Sequence, residues 1–285
     1  MFGVADEETA AAIIARLSVE DFWTEAGMRT VPRNATNYGP THGYGLLGGV
    51  WVGVSFWYAF AAARFNSENM ASALARGFEH YAKDPGKNNT VPGQFSEWLH
   101  GETLTNQGMM LSPWFPPRYL WAAIEGAAGL DLSAGAPTIN PRLPPQWKWV
   151  GVRDVLLAGK RLSWFVVRAP DLRLYTNARF RCPGTSTSFE EDISSAMSVE
   201  GENAVVLGLQ QDESLVVFVG NTSLHTLTTA VRILGLRGSY AGRFFNSLRG
   251  DWTEITEVRA ADLARGVPVE LDRQGFCLFE LTQDV

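Results

Sequence analysis

The chain has 285 residues, 46% apolar and 19% charged, which is enough to bury a core and too apolar for intrinsic disorder. A net charge of −6 and the lack of any Lys/Arg run exclude the basic footprint of a nucleic-acid binder. No stretch reaches the roughly 18–20 apolar residues of a membrane span, and MFGVADEET lacks the charged-then-apolar order of a signal peptide, so a cytoplasmic protein without a membrane partner is expected.

Residues 1–132 read as helices joined by long Gly-rich loops. DEETAAAIIARL sets Ala10, Ile13, Ile14 and Leu17 on one stripe, with acids in the first turn. WVGVSFWYAFAAARF is apolar nearly all round and predicts a buried helix. SENMASALARGFEHYAKD predicts a helix with Ser67 as N-cap and with Met70, Leu74, Phe78 and Tyr81 on one face. PPRYLWAAIEGAAGL predicts a fourth, opened by Pro117 and ending near Gly129. The joining segments, 24–50 and 84–116, show no period, and such long loops inside a compact domain are usually functional.

From about Gly151 the period changes. VRDVLLAGKRLSWFVVRA predicts two strands around a Gly-Lys turn, and LRLYTNARFRC, NAVVLGLQ, SLVVFVG, LTTAVRIL, YAGRFFNS and GFCLFEL continue as short strands. The expectation is an antiparallel β-sandwich over 151–285, joined through a Pro-rich linker over 133–150. Cys182 and Cys277 match no metal spacing, and free thiols are expected because this core needs no staple.

Nine of the ten Trp precede residue 165, where they neighbour carboxylates; that pairing suits sugars, whose rings have an apolar face and a polar rim. Glycoside hydrolysis needs two carboxyls. In GQFSEWLHGET, Glu97 lies between Phe95 and Trp98 and is the first candidate, with Glu102 the second; His100 could orient a hydroxyl or a carboxylate. The bland alternative is a solvated loop with a structural His. FWTEAGMRTVPRNATNYGP adds Trp23, Arg29, Arg33 and Tyr38; the arginines either bond sugar hydroxyls or pair with nearby acids. Trp51 stands at a helix start and is either core or cleft wall, and the adjoining Gly48-Gly49 pair would admit a phosphate, although no Lys completes such a loop. No GxSxG, HExxH or CxxC occurs, so no metal and no cofactor is expected.

Three segments also carry a family resemblance. WTEAGMRTVPRNATNYGPTHGYGLLGGVWVGVSFWYAFAAA resembles the region of six-hairpin, (α/α)6-barrel glycosidases where a G-(L/M)-R-(S/T) element precedes a Tyr/Gly-rich loop and a G-x-(I/V)-W helix start. FSEWLHGET is similar to the late-barrel loop that holds the catalytic base in the glucosidase I, glycogen-debranching and glucoamylase-like enzymes. INPRLPPQWKWVGVRDVLLAGKRLSWFVV resembles their junction into a C-terminal β-domain.

The resemblance implies a partial (α/α)6 barrel over 1–132 followed by the β-sandwich, and an inverting hydrolase of α-glucoside-type oligosaccharides. It places the general base at Glu97, or at Glu102 in a shifted register, with Trp23, Arg29, Arg33, Tyr38, Trp51, Trp98 and His100 around the substrate. Such a barrel has twelve helices and this chain offers about four. A missing N-terminal segment or a partner chain is therefore expected to complete it and to bring the general acid. A disaccharide phosphorylase on the same scaffold, or a non-catalytic carbohydrate-binding or assembly subunit, are the alternative readings.

Overall fold

The structure is a computed structural model that describes residues 4–81, 94–133, 136–178 and 186–284. The chain divides into two compact units, Met1–Asp131 and Leu132–Val285.

In the first unit, the helix Glu7–Leu17 is capped by Asp6, whose side chain accepts a 2.7 Å bond from the Thr9 amide. Of its predicted stripe only Ile14 is buried; Ile13 is 48% exposed. The short strands β1 (Trp23–Thr24) and β2 (Gly27–Met28) pair antiparallel. The helix Val52–Ala62 buries Val52, Phe56, Tyr58, Ala59 and Ala62, while Trp57 stays partly exposed. Helix Ser67–Tyr81 packs against it, with Met70 and Leu74 buried. The N-cap of this helix is Asn66 rather than Ser67: its Oδ1 accepts from the amides of Glu68 and Asn69, both at 3.0 Å. Asn and Ser are equally good caps, so adjacent candidates leave the choice open in a sequence. Helix Phe115–Trp121 has Pro116 and Pro117 in its first turn and runs into a π-helical turn, Ala122–Ala127. Gly129, at φ +79°, follows the helix end, where a left-handed residue is easiest for glycine. Strand β3 (Leu130–Asp131) closes the unit.

The expected partial (α/α)6 barrel is not what this unit forms. Strands make up 37%, against five short α-helices among the described residues. The first unit's α-helices number four among the described residues, and the seven-residue Phe115–Trp121 is the shortest of these. A barrel requires a ring of full-length helical hairpins. Here, apart from the single 3-10 turn Glu20–Phe22 and the β1–β2 pair, segment 18–51 and residues 94–114 fold as turns and isolated β-bridges, since their Gly, Pro and Asn content does not sustain long helices.

In the second unit, the Pro-rich connector contains the short strand β4 (Thr138–Ile139) and then docks on the sheet that follows. Arg168 donates to the carbonyls of Leu143, Pro144 and Trp147, at 3.1, 3.3 and 3.2 Å. The hairpin of β5 (Trp149–Leu157) and β6 (Lys160–Arg168) turns through Ala158 and Gly159, both left-handed. Strands β7 (Leu172–Thr176) and β8 (Ser186–Ser188) complete a sheet ordered β5-β6-β7-β8, whose last pair is parallel.

The remaining strands are β9 (Glu191–Asp192), β10 (Met197–Val199), β11 (Ala204–Gln211), β12 (Ser214–Asn221), β13 (Leu227–Ile233), β14 (Ser239–Asn246), β15 (Asp251–Arg259), β16 (Val267–Leu271) and β17 (Phe276–Gln283). They form a six-stranded sheet, β15-β14-β17-β12-β11-β9, and a three-stranded one, β10-β13-β16. A helix, Ala260–Arg265, links β15 to β16.

The sandwich has three layers rather than two. Val216, Phe218, Phe245, Phe276 and Leu278 of the six-stranded sheet pack on Phe165, Val167 and Tyr175 of the four-stranded one. Alternate residues, Leu215, Val217, Val219, Cys277, Phe279 and Leu281, pack on Val231, Ile233, Val269 and Leu271 of the three-stranded sheet. The middle sheet is buried on both faces, and each large side chain taken from water contributes about 1.5–3 kcal/mol. Glu280 is its polar exception: it accepts from Tyr175 Oη and Arg243 Nε, lies 3.7 Å from Arg173, and both guanidinium groups pack over Trp252. A carboxylate this sheltered is retained only because it is paired.

Cys277 is a free, fully buried thiol, and Cys182 lies outside the described residues. Burial pushes the Cys277 thiol up, and burial followed by the bond to Glu280 does the same to the Tyr175 phenol. In the folded state both stay protonated at pH values where the unfolded chain ionises, so the unfolded state binds fewer protons. Stability should therefore fall as pH rises above about 9, by about 1.4 kcal/mol per pH unit for each proton involved, and more steeply above about 10. Urea unfolding at stepped pH tests this, and Cys277→Ala should remove the first part of the decline; a flat alkaline limb would contradict it.

Candidate active site

The two long segments of the first unit are zipped together. Residues 94–112 fold back as an irregular hairpin. Glu97 N donates to Met109 O (2.9 Å), Gln107 N to Trp98 O (3.1 Å), His100 N to Thr105 O (2.9 Å) and Ser112 N to Phe95 O (2.8 Å). The other segment enters through Val50, which exchanges both backbone bonds with Leu99 at 2.9 Å. Single bridges extend the row from Arg29 to Val50, Leu99 and Asn106. The predicted stretch GQFSEWLHGET is thus a β-like hairpin arm, apart from Gly93, which lies outside the described residues.

Glycines make this arm fit. A Cβ on Gly45 would stand 2.4 Å from the Trp98 ring, and one on Gly108 2.5 Å from it. Gly48 meets the Tyr38 ring in the same way, at 2.4 Å. Residues 43–48, Gly-Tyr-Gly-Leu-Leu-Gly, also spell the G-x-G-x-x-G of dinucleotide-binding turns. The context that gives the motif meaning is missing, because among the described residues no strand leads into it and two of its glycines are faced by rings. The space beside Gly48 and Gly49 that a phosphate would need is filled by the same two side chains.

The predicted site residues separate by what they touch. Trp98 is 6% exposed and Trp23 8%, so neither offers a sugar an open ring face. Trp23 is core: its Nε1 donates to Leu17 O (2.8 Å) and its ring meets Tyr58 edge-on. Arg29 is buried too. Its Nε donates to Gly101 O (3.1 Å) and its Nη1 to Trp23 O (2.7 Å), which makes it a clamp between loops. His100 accepts at Nδ1 from the amides of Glu102 and Thr103, at 3.1 and 3.2 Å, and so organises the hairpin tip. Trp51 is half-buried at the head of the Val52–Ala62 helix, and among the described residues its buried Nε1 has no acceptor.

The two carboxylates differ. Glu102 is engaged at both oxygens: Tyr38 Oη donates to Oε1 at 2.5 Å, and Arg33 Nη2 stands 3.1 Å from Oε2. Burial, then the bond to Glu102, raises the Tyr38 phenol, while the nearby Arg29 opposes the shift. Glu97 is anchored at one oxygen alone. Oε2 accepts from Met109 N at 3.2 Å, and among the described residues Oε1 accepts no hydrogen bond. A carboxylate fixed at one end and open at the other suits proton abstraction; one closed at both ends suits a strut.

Open aromatic surface lies at residues that the sequence reading passed over. Tyr44 is 82% exposed and Trp114 59%. Residue type alone does not distinguish a buried ring from an exposed one when the bed of the buried one, Gly45 and Gly108, is remote in sequence. The described residues hold no group of three or more potential metal ligands, and no helix among them is long and apolar enough to cross a membrane.

No protein-family model and no curated protein matches the chain. Solved structures do show local likeness. One is CelM2, a bifunctional glucanase-xylanase from a metagenome library, at 11% identity over 29% of this chain and 16% of that one, with a TM-score of 0.22. A GH30 endoxylanase from Clostridium papyrosolvens C71 is 15% identical over 30% of this chain and 21% of that one (TM-score 0.22). A GH44 xyloglucanase from Paenibacillus polymyxa is 12% identical over 29% and 17% (TM-score 0.22). The chain thus spans about a fifth or less of their length, and likeness at this level carries no functional conclusion.

The hairpin seat gives a direct prediction. Gly45→Ala would drive a methyl into the Trp98 ring at a backbone φ of +76°. It should cost about 1–3 kcal/mol and loosen Trp98. The readout is a lower melting temperature with red-shifted tryptophan emission; unchanged emission would disprove the packing.

Proposed function

We propose that the protein is a carbohydrate-active hydrolase that cleaves O-glycosidic bonds, with Glu97 as general base. The supporting observation is the asymmetry of Glu97: one oxygen is held by the Met109 amide and the other accepts no hydrogen bond among the described residues. In an inverting reaction such a group takes a proton from water as the water attacks the anomeric carbon, while a second carboxyl protonates the leaving oxygen. Glu102 is a positioning residue, which with Tyr38, Arg33 and His100 holds the hairpin tip. The second carboxyl is expected from a further segment or a partner chain. α-Glucoside-type oligosaccharides are the substrate class that the sequence resemblance favours.

Glu97→Gln should lower turnover of maltose-type oligosaccharides by about 10²–10⁴-fold with little change in KM. Glu102→Gln should cost less turnover and more thermal stability. Wild-type turnover in Glu97→Gln would sink the assignment, and oligosaccharide binding without any turnover in the native protein would mark a non-catalytic carbohydrate-binding subunit.

A further inference from the structure

Arg118 lacks the polar partner that every other described arginine of the first unit possesses except Arg16, which packs over Phe22. Arg29 spends its donors on backbone carbonyls, Arg33 pairs with Glu102, Arg64 with Asp131 and Arg76 with Glu20. Arg118 lies on the Phe115–Trp121 helix with its guanidinium carbon 4.1 Å over the Trp57 ring and 5.5 Å from that of Phe115. Among the described residues its guanidinium makes no hydrogen bond and no ion pair. Burial pulls its pKa downward, so the cation is partly stripped of water without a counter-charge to offset the loss.

The packing that holds it is specific. A Cβ on Gly53 would stand 2.3 Å from the Phe115 ring and 2.8 Å from Arg118 Nη1, so a glycine in mid-helix keeps the space open. Gly in a helix interior costs about 1 kcal/mol relative to Ala, and close packing is what makes it worthwhile here. A guanidinium stacked on rings has its faces covered and its in-plane N–H edges left to donate. That is the arrangement that binds a carboxylate or phosphate through two parallel hydrogen bonds. Trp57 is 39% exposed and Trp114 59% exposed, and Trp114 stands four residues before Arg118, so one helix face presents both a flat apolar surface and the cation.

The place is linked to the candidate site through the backbone. Gly53 follows three residues after Val50, whose bridge partner Leu99 follows two residues after Glu97. We propose that Arg118, packed against the Trp57 and Phe115 rings, is the receptor for an oxyanion used with a sugar substrate. The oxyanion is either the carboxylate of an acidic sugar or free inorganic phosphate. The assignment of this anion to the substrate site rests on the hydrolase reading; its binding to Arg118 does not.

The test uses the full chain with glucuronate, glucose and inorganic phosphate as probes, following the Nε–H resonance of Arg118 by NMR and affinity by calorimetry. Glucuronate or phosphate should shift that resonance while glucose does not. Arg118→Ala should weaken the bound anion by at least about tenfold, and Arg118→Lys, which keeps the charge but loses the fork, should fall between. A response to glucuronate alone identifies a sugar carboxylate, and a response to phosphate alone identifies free phosphate. Glu97→Gln should keep anion binding while losing turnover; anion binding without any hydrolysis in the wild-type protein defeats the hydrolase reading and leaves this one standing. The proposal is overturned if neither anion moves the wild-type resonance, or if Arg118→Ala binds as wild type. The resonance readout needs no variant, so a poorly folded Arg118→Ala leaves the outcome decided.

Discussion

The Val50–Leu99 bridge is the constraint on which the first unit depends. Both residues are fully buried, and each gives the other its amide proton. Two segments with little periodic structure thereby become one row of backbone pairs. An unpaired amide and carbonyl at this depth would cost as much as a lost hydrogen bond each, so the bridge is also the solution that burial demands. From Leu99 the hairpin arm reaches back to Glu97 and forward to the His100–Glu102 tip. From Val50 the chain enters the Val52–Ala62 helix, which carries Gly53 and Trp57. A break at this bridge would affect the carboxylate and the arginine seat together.

Polar side chains do the work there that regular structure does elsewhere. Arg29 gathers three carbonyls from two segments onto one guanidinium, Asp21 and Trp23 from one and Gly101 from the other, counting its longer 3.4 Å contact to Asp21 O. Thr30 Oγ1 donates to Gly45 O and accepts from Gly48 N, which fixes the glycine-rich turn beneath Trp98. A site on loops that must hold a carboxylate depends on such supporting hydrogen bonds to fix it.

The sequence was informative where burial repeats with a period and uninformative where it does not. The strands β6, β12 and β17 and the Ala158-Gly159 turn follow from apolar runs and a turn signal. Strand β15 gives no strand signal because Asp251–Arg259 is half-exposed only at every third position, is exposed elsewhere, and carries four charged residues in nine. The third layer was invisible because SLVVFVGN reads as continuously buried, and nothing in such a run says which sheet covers which face. The barrel expectation failed differently: it came from short matching segments around the loops, and those segments do not specify how many helices surround them. In the candidate site, Glu97 and Glu102 stood out as carboxylates, but their different roles depend on Tyr38, Arg33 and Met109, which are 64, 69 and 12 positions away along the chain respectively, the first by way of Glu102 and the last by way of Glu97. Arg118 gave no signal, since an arginine stacked on rings and one in solvent are spelled alike.

The double covering of the middle sheet has a consequence for motion. Strands β12 and β17 are hydrogen-bonded to neighbours on both edges and packed on both faces. Their amides have no route to water through the fraying of an edge or the lifting of one outer sheet. Hydrogen exchange at these two strands reports the opening of the whole second unit, whereas β15, at an edge with one side in solvent, exchanges through small local events. The second unit therefore has a slow centre and a fast rim, set by layer order alone.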